Sequence, residues 1–447
     1  MGFEDYLIAG FFLFVLVLLI YVFASAFRDR SIRFYFITGA YVKLFGGFAF
    51  AMIHYYYYGG GLYFYGDTAL YYRSIEFLNN LFFEQPLVTL KIIFSANNYE
   101  ISRELFYYTS KIFNYSSDAE FFVIRVGTIL SLFTLNNYIV ISFIFGLFCF
   151  WGQWKIYLVF IDLYPTLKRE IAIATLFIPS VIFWGSGVIK DPLTMGALGF
   201  VFSSLYNLCI KRKKLITSTI FLLLGVLILI EVKKYILIAF LPAGIVWVFY
   251  TYASNIKNQV LKILFFPTIL TVGIVFGFST IDNLTSGDPI YDLEDFGRRA
   301  KINSDYLYYV SQRQSGSAYF LGDLDGSLES TLSLAPSAIV VTLYRPFLWE
   351  VNNATMFLSA IESLLFLVLT LYTLLKVGLF KSAYIILKSP LVQFCLVFSV
   401  IFAFAIGITT FNFGSLVRYK IPLIPFYLVG ILVILFDSKL RGYSKGN

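Results

Sequence analysis

The chain has 447 residues, 59% of them hydrophobic and 13% charged, with a mean hydropathy of +0.79, which exceeds what one soluble core can hide. The formal net charge of +8 does not indicate nucleic acid, because the basic residues are scattered at the ends of apolar segments rather than gathered on one domain. Cys149, Cys209 and Cys395 lie far apart in or beside apolar segments, with no CxxC, which argues against a disulfide framework and a zinc site.

In chain order, apolar windows predict about eleven transmembrane helices, centred near 7–27, 34–57, 138–162, 171–188, 192–210, 215–232, 235–252, 262–280, 355–376, 390–411 and 421–437. The first begins without a basic flank and is too long for a signal-peptide core, so it is expected to remain as a spanning helix. The fold class is therefore all-α, a polytopic membrane bundle. Phe121 to Leu135 is short and carries Arg125, and reads as an interfacial or re-entrant helix.

With the N-terminus outside, "RDRSIR" (28–33), "LKRE" (167–170), "KRKK" (211–214), Lys257 and Lys262, Lys376 to Lys388 and the tail "KLRGYSK" share one face. These short connections are rich in Lys and Arg, as the positive-inside rule expects of cytoplasmic loops. The other face collects the long loops 58–137 and 281–354 and most carboxylates. "RSIEFLNNLF" and "LVTLKIIFSANNYE" in the first long loop have the spacing of amphipathic helices lying on the membrane. The expected segments are an extra N-terminal helix (1–33), a transmembrane core with its outer loop (34–280), an outer loop (281–354), and C-terminal helices with a cytoplasmic tail (355–447).

On this topology Asp67, in "YFYGDTALYYRSIEF", stands just outside the second span. "FWGSGVIKDPLT" brings Lys190 and Asp191 to the same level. Ionisable groups at such depth are costly unless they face a cavity or one another, so these are candidate site residues. Lys233 and Lys234 follow at the next outward turn, Arg345 and Glu350 lie in "YRPFLWE", and Arg418 and Lys420 lie in "FGSLVRYKIPLIPF". Arg73, beside Asp67 in sequence, joins the basic set. Guanidinium groups match phosphate oxygens in a bidentate way and lysine supplies a point charge, so cations beside two carboxylates suit a phosphorylated lipid.

Gly66-Asp67, Lys190-Asp191 and the Arg-Tyr-x-x-Pro-x-x-Pro run "RYKIPLIP" (Arg418 to Pro425) together resemble the GT-C superfamily of membrane glycosyltransferases, over roughly residues 34–437. The chain departs from that pattern in its extra first span and in having no Asp-Glu or Asp-x-Asp pair at Asp67. The resemblance implies a GT-C-like bundle in the cytoplasmic (inner) membrane with its active site facing outward. It implies transfer of a sugar from a polyprenyl-phosphate-linked donor to a lipid or glycan acceptor, with inversion. Asp67 would be the general base, Asp191 a second catalytic acid, and Lys190, Arg345, Arg418, Lys420 and Arg73 would hold the donor phosphate. No cofactor is called for, and whether a divalent metal takes part stays open.

Plainer readings stand beside these. Asp67 can cap a helix beginning near Thr68; Asp191 can pair with Lys190; Arg345 can be an interface anchor; Arg418 and Lys420 can be snorkelling cations at a span end. "GDLDG" (322–326) mimics a metal-binding pair but reads first as a solvated turn. His54, the only histidine, reads as hydrogen-bonded within the bundle. Lys43 and Glu362, inside predicted spans, require partners that the sequence does not name. Two other functions compete: an O-antigen-type polysaccharide polymerase, favoured by Arg298, Arg299 and Arg313, and a transporter or flippase, disfavoured by the absence of a visible repeat.

Overall fold

The structure is a computed structural model and describes residues 1–95, 99–253, 297–298, 300–302, 304–306, 309 and 317–437. The expected span 262–280, the basic residues Lys257, Lys262, Arg299 and Arg313, most of loop 281–354 before 317, and the basic tail lie outside the described residues. Among the described residues the chain is all-helical, with no strand beyond a single bridge between Ala318 and Asn412.

The helices are α1 (Phe3–Ser25), α2 (Arg30–Met52, prolonged by a π turn at Ile53–Tyr57), α3 (Asp67–Glu84), α4 (Pro86–Phe94), α5 (Tyr99–Glu104), α6 (Phe106–Thr109), α7 (Asp118–Ser131), α8 (Tyr138–Leu163), α9 (Lys168–Leu176), α10 (Pro179–Trp184), α11 (Lys190–Leu205, prolonged by a π turn to Lys211), α12 (Leu215–Val232) and α13 (Lys234–Ala253). They continue with α14 (Leu328–Ser333), α15 (Ala335–Tyr344), α16 (Ala354–Val377), α17 (Leu379–Lys388), α18 (Pro390–Thr410), α19 (Phe413–Tyr419) and α20 (Ile424–Leu435).

Eight of these segments are long and apolar enough to cross a bilayer: Phe3–Ser25, Arg30–Tyr57, Tyr138–Leu163, Lys190–Lys211, Leu215–Val232, Lys234–Tyr252, Thr355–Val377 and Pro390–Thr410. The pair α19 and α20, bent by 70°, makes a ninth if it counts as one broken span, where the sequence predicts a span near 421–437. The predicted span 171–188 is corrected: it is two short helices, α9 and α10, separated at Phe177 and Ile178. Pro179 has no N–H for the helical ladder and pushes Ile178 into extended backbone (φ −76°, ψ 124°), so one helix cannot run through. α7, with 14 residues, is too short to cross, in line with its reading as an interfacial segment.

The chain divides into two compact units interleaved in sequence, which cut across the expected segments: 1–157, 176–203 and 219–233 form the first, and 158–175, 204–218 and 234–447 the second.

In the first unit, α2 starts on a side-chain cap, Asp29 accepting from Ser31 N (2.8 Å) and Ile32 N (3.3 Å). α8 and α11 cross where neither carries bulk: a Cβ on Gly152 would lie 2.3 Å from the Gly196 carbonyl oxygen, and one on Gly199 2.1 Å from that of Gly152. Only glycine permits so close an approach of two backbones. The buried Lys43 finds its partners along and just past α10: Nζ donates to the carbonyls of Val181 (2.7 Å) and Gly185 (3.3 Å) and lies 3.3 Å from Cys149 Sγ. Those carbonyls belong to the end of α10, where the helical ladder stops and leaves acceptors to be satisfied. α3 packs on α7 and α4, burying Ile75 and Leu78.

In the second unit, α18 is the central helix, packed against α13, α15 and α20, with a stacked run of Phe394, Phe398 and Phe402 along its buried side. Caps set its borders. Ser389 accepts from Val392 N at 3.4 Å beside Pro390 at the first helical position, and Asn412 accepts from Gly414 N (2.8 Å) and Ser415 N (3.2 Å) to start α19.

Candidate functional site

The site is assembled at the start of α3 and the start of α11, within the first unit. Gly66 sits at φ 79°, a backbone region that favours glycine, and turns the aromatic stretch Tyr55–Tyr65 into the helix. Asp67 is the first helical residue, exposed, rather than a cap preceding a helix at Thr68. The next residue points the other way: Thr68 is buried, and its hydroxyl donates to the carbonyl of Val188 (3.0 Å) and lies 2.6 Å from the Tyr138 hydroxyl, which is placed to donate to it. Tyr138 packs against Phe64 (centroids 4.0 Å apart) and Tyr72 (5.1 Å), and Tyr72 donates to the Asn136 carbonyl at 2.6 Å. The Asp67 segment and the turn carrying Lys190 and Asp191 are thus fastened together.

Lys190 and Asp191 do not pair with each other. Lys190 Nζ donates to Glu120 Oε1 on α7 at 2.7 Å, with 16% and 18% of the two side chains exposed. Asp191 is fully buried and its Oδ1 accepts from Lys233 Nζ, itself only 4% exposed, at 2.5 Å. The first turn of α11 is therefore tied on one side to α7 and on the other to the junction of α12 and α13. Burial by itself would raise the Glu120 carboxyl; the hydrogen bond and charge of Lys190, helped by the Ser117 hydroxyl, outweigh it and hold Glu120 below the usual carboxylate range.

The difference in depth separates the two neighbours chemically. Asp191, sealed with Lys233, is arranged to hold elements together, and the geometry gives it no open side toward a substrate. Lys190, by contrast, keeps some exposure to solvent in its pair with Glu120. Arg73 is exposed on α3.

The other predicted cations lie in the second unit. Arg345 closes on Glu350 through both Nε and Nη2, with Nε 3.0 Å from each carboxylate oxygen, and its guanidinium lies over the Phe413 ring at 5.2 Å. Glu350 also accepts from Phe347 N at 2.7 Å, so this pair closes a local turn. Lys420 is buried and donates to Ser363 Oγ (3.0 Å), which donates to the Arg345 carbonyl (3.0 Å); Glu362 lies near enough for its charge to act on Lys420. Arg418 is half-buried with its guanidinium 5.7 Å from the Tyr419 ring centre.

Among the described residues no group of three or more His, Cys, Asp or Glu side chains gathers as metal ligands would. In the "GDLDG" stretch Asp325 accepts from Ser327 N at 2.7 Å, which is the geometry of a solvated turn. His54 Nδ1 donates to the Phe50 carbonyl (3.0 Å) and its ring stacks on the Phe50 ring (3.9 Å), as a bundle histidine does. Of the arginines favouring a polymerase, only Arg298 is described.

Sequence reasoning passed over Glu120, Thr68 and Tyr138. A signal for the first was present: "SDAE" (117–120) is a Ser-x-x-Glu helix start, which marks an ordered acid at the head of a helix. Comparison of the chain with protein-family profiles, with curated proteins and with solved structures returned no match.

Proposed function

We propose that this multi-pass membrane protein is a GT-C-like glycosyltransferase that moves a sugar from a polyprenyl-phosphate-linked donor to a hydroxyl acceptor at the outward face of the cytoplasmic membrane. The observation that carries the reading is the joining of the segments that hold the exposed Asp67 and the partly exposed Lys190, through Thr68 and Val188. In this reading Asp67 takes the proton of the acceptor hydroxyl as its oxygen bonds to the anomeric carbon. The bond from that carbon to the phosphate oxygen breaks, and polyprenyl phosphate leaves with the electron pair. Lys190 offsets the charge on the departing phosphate, exchanging Glu120 for it; Arg73 contributes from the exposed side of α3. Asp191 holds the turn in place rather than touching substrate.

The test is transfer from a polyprenyl-phosphate sugar by the purified full chain. Asp67→Asn removes a general base and should cost ~10²–10⁴ in rate, with the unfolding midpoint measured alongside so that a loss of fold is told apart from a loss of chemistry. An Asp67→Asn protein that keeps its activity, or products that grow by whole repeat units, overturns this reading in favour of a polymerase. Binding of polyprenyl phosphate that is unaffected by Lys190→Met removes Lys190 from the site.

A further inference from the structure

Between the spans Thr355–Val377 and Pro390–Thr410 the chain neither turns tightly nor runs into a loop: it forms the ten-residue helix α17, "LFKSAYIILK". Gly378, at φ 86°, bends the chain out of α16, and Ser389 with Pro390 bends it into α18. At 1.5 Å per residue α17 is ~15 Å long, half of what a crossing needs. Joining two spans of opposite direction at one end, it must lie across that end.

Its faces are sharply divided. Ser382 and Ile385 are buried toward the bundle. At 3.6 residues per turn Leu379, Phe380, Ala383 and Leu387 form an outward apolar stripe, with Lys381 and Lys388 along one edge of it. Phe380 is 95% exposed, and Leu379 and Leu387 are each 69% exposed. Lys376, in the last turn of α16, adds a third cation, and no acid occurs between Glu362 and Asp437. Two of the lysines lie over tyrosine rings, Lys376 on Tyr372 (5.3 Å) and Lys388 on Tyr384 (5.5 Å), the pairing of snorkelling cation and interfacial aromatic.

We propose that α17 is an anionic-lipid-binding interfacial helix: Leu379, Phe380 and Leu387 enter the acyl boundary of the bilayer that α16 and α18 cross, and Lys376, Lys381 and Lys388 engage the phosphodiester headgroups of acidic phospholipids around them. The occupant follows from continuity, since the helix joins two spans and its apolar stripe meets the same lipid, and from charge, since three cations in a stretch of sequence that carries no acid match an anionic headgroup layer. The proposal is independent of the sugar-transfer reading.

The experiment uses the full chain in bilayers of phosphatidylcholine with and without phosphatidylglycerol. Phosphatidylglycerol should raise the unfolding midpoint of the wild type at low salt, less at high salt, and not raise that of the triple variant Lys376→Gln/Lys381→Gln/Lys388→Gln. Each lysine removed should weaken anionic-lipid occupancy about fivefold. The added emission of Phe380→Trp over wild type should be quenched by brominated acyl chains. An equal phosphatidylglycerol effect in the triple variant, or reproduction of the effect by inorganic phosphate, overturns the headgroup assignment. An unquenched tryptophan shows the stripe covered by protein and overturns the insertion.

Discussion

The hydroxyl of Thr68 reaches the carbonyl oxygen of Val188 across 120 residues of sequence, at 3.0 Å. Through this one bond the residue after Asp67 is joined to the residue two before Lys190, so the start of α3 and the start of α11 cannot move independently. Thr68→Val keeps the shape and removes the hydroxyl that bridges the Val188 carbonyl and the Tyr138 hydroxyl. A loss of ~1–3 kcal/mol is expected, read as a lower unfolding midpoint in detergent, with Thr68→Ser recovering most of it. Equal midpoints for valine and threonine would show the bond to be dispensable.

The Asp191 and Lys233 pair predicts a non-additive pattern. Either Asp191→Leu or Lys233→Met alone strands a buried charge and should cost ~3–5 kcal/mol. The double variant removes both charges from an apolar setting and should regain most of that loss. If instead Asp191 is needed for chemistry, the double variant will be stable and inactive, and the two measurements separate the roles.

Glu120 predicts a pH dependence. Its carboxyl is held below its unfolded value by Lys190, so the stability it contributes is complete above the ordinary carboxylate range, ~4.3 in an unfolded chain, and drains away as pH falls through the folded value. Glu120→Gln should unfold at a lower temperature than wild type at neutral pH, and the two midpoints should converge in acid. Parallel curves over the whole range would deny the ion pair any energetic role.

The crossing of α8 and α11 predicts a cost for the smallest possible side chain. In Gly152→Ala or Gly199→Ala the new methyl meets backbone atoms, which cannot swing aside, and the helices must separate; ~1–3 kcal/mol or more is expected. Gly10→Ala in α1, where nothing lies within 4 Å, serves as the control and should be neutral or slightly stabilising. Indistinguishable midpoints among the three would mean that the crossing is looser than described.

The spans were legible because hydrocarbon imposes its length on apolar runs, and the exposed Asp67 and the Lys190-Asp191 turn were legible because charges at that depth need a reason. Partners were not. Asp191 chooses Lys233 over its neighbour Lys190 because consecutive residues of a first helical turn face different elements, which a one-dimensional pattern does not record. Lys43 advertised a missing partner, but the partners are carbonyl oxygens at the end of α10, and backbone acceptors leave no mark in composition. The break between α9 and α10 was itself masked by the apolar residues on either side of Pro179. Arg345 read as an interface anchor, and its closure on Glu350 depends on a local turn of the backbone that the pattern does not show.

The burial of Asp191 against Lys233 also constrains how the protein is made. The two residues are 42 positions apart, one at the entrance of α11 and the other just after α12. When α11 leaves the ribosome its acid lacks the lysine that pairs with it in the folded protein, and a carboxylate facing lipid alone is costly. Lateral release from the translocation channel is therefore favoured only once α12 and the lysine behind it have been synthesised, so that the two helices partition into the bilayer together, as a neutralised hairpin.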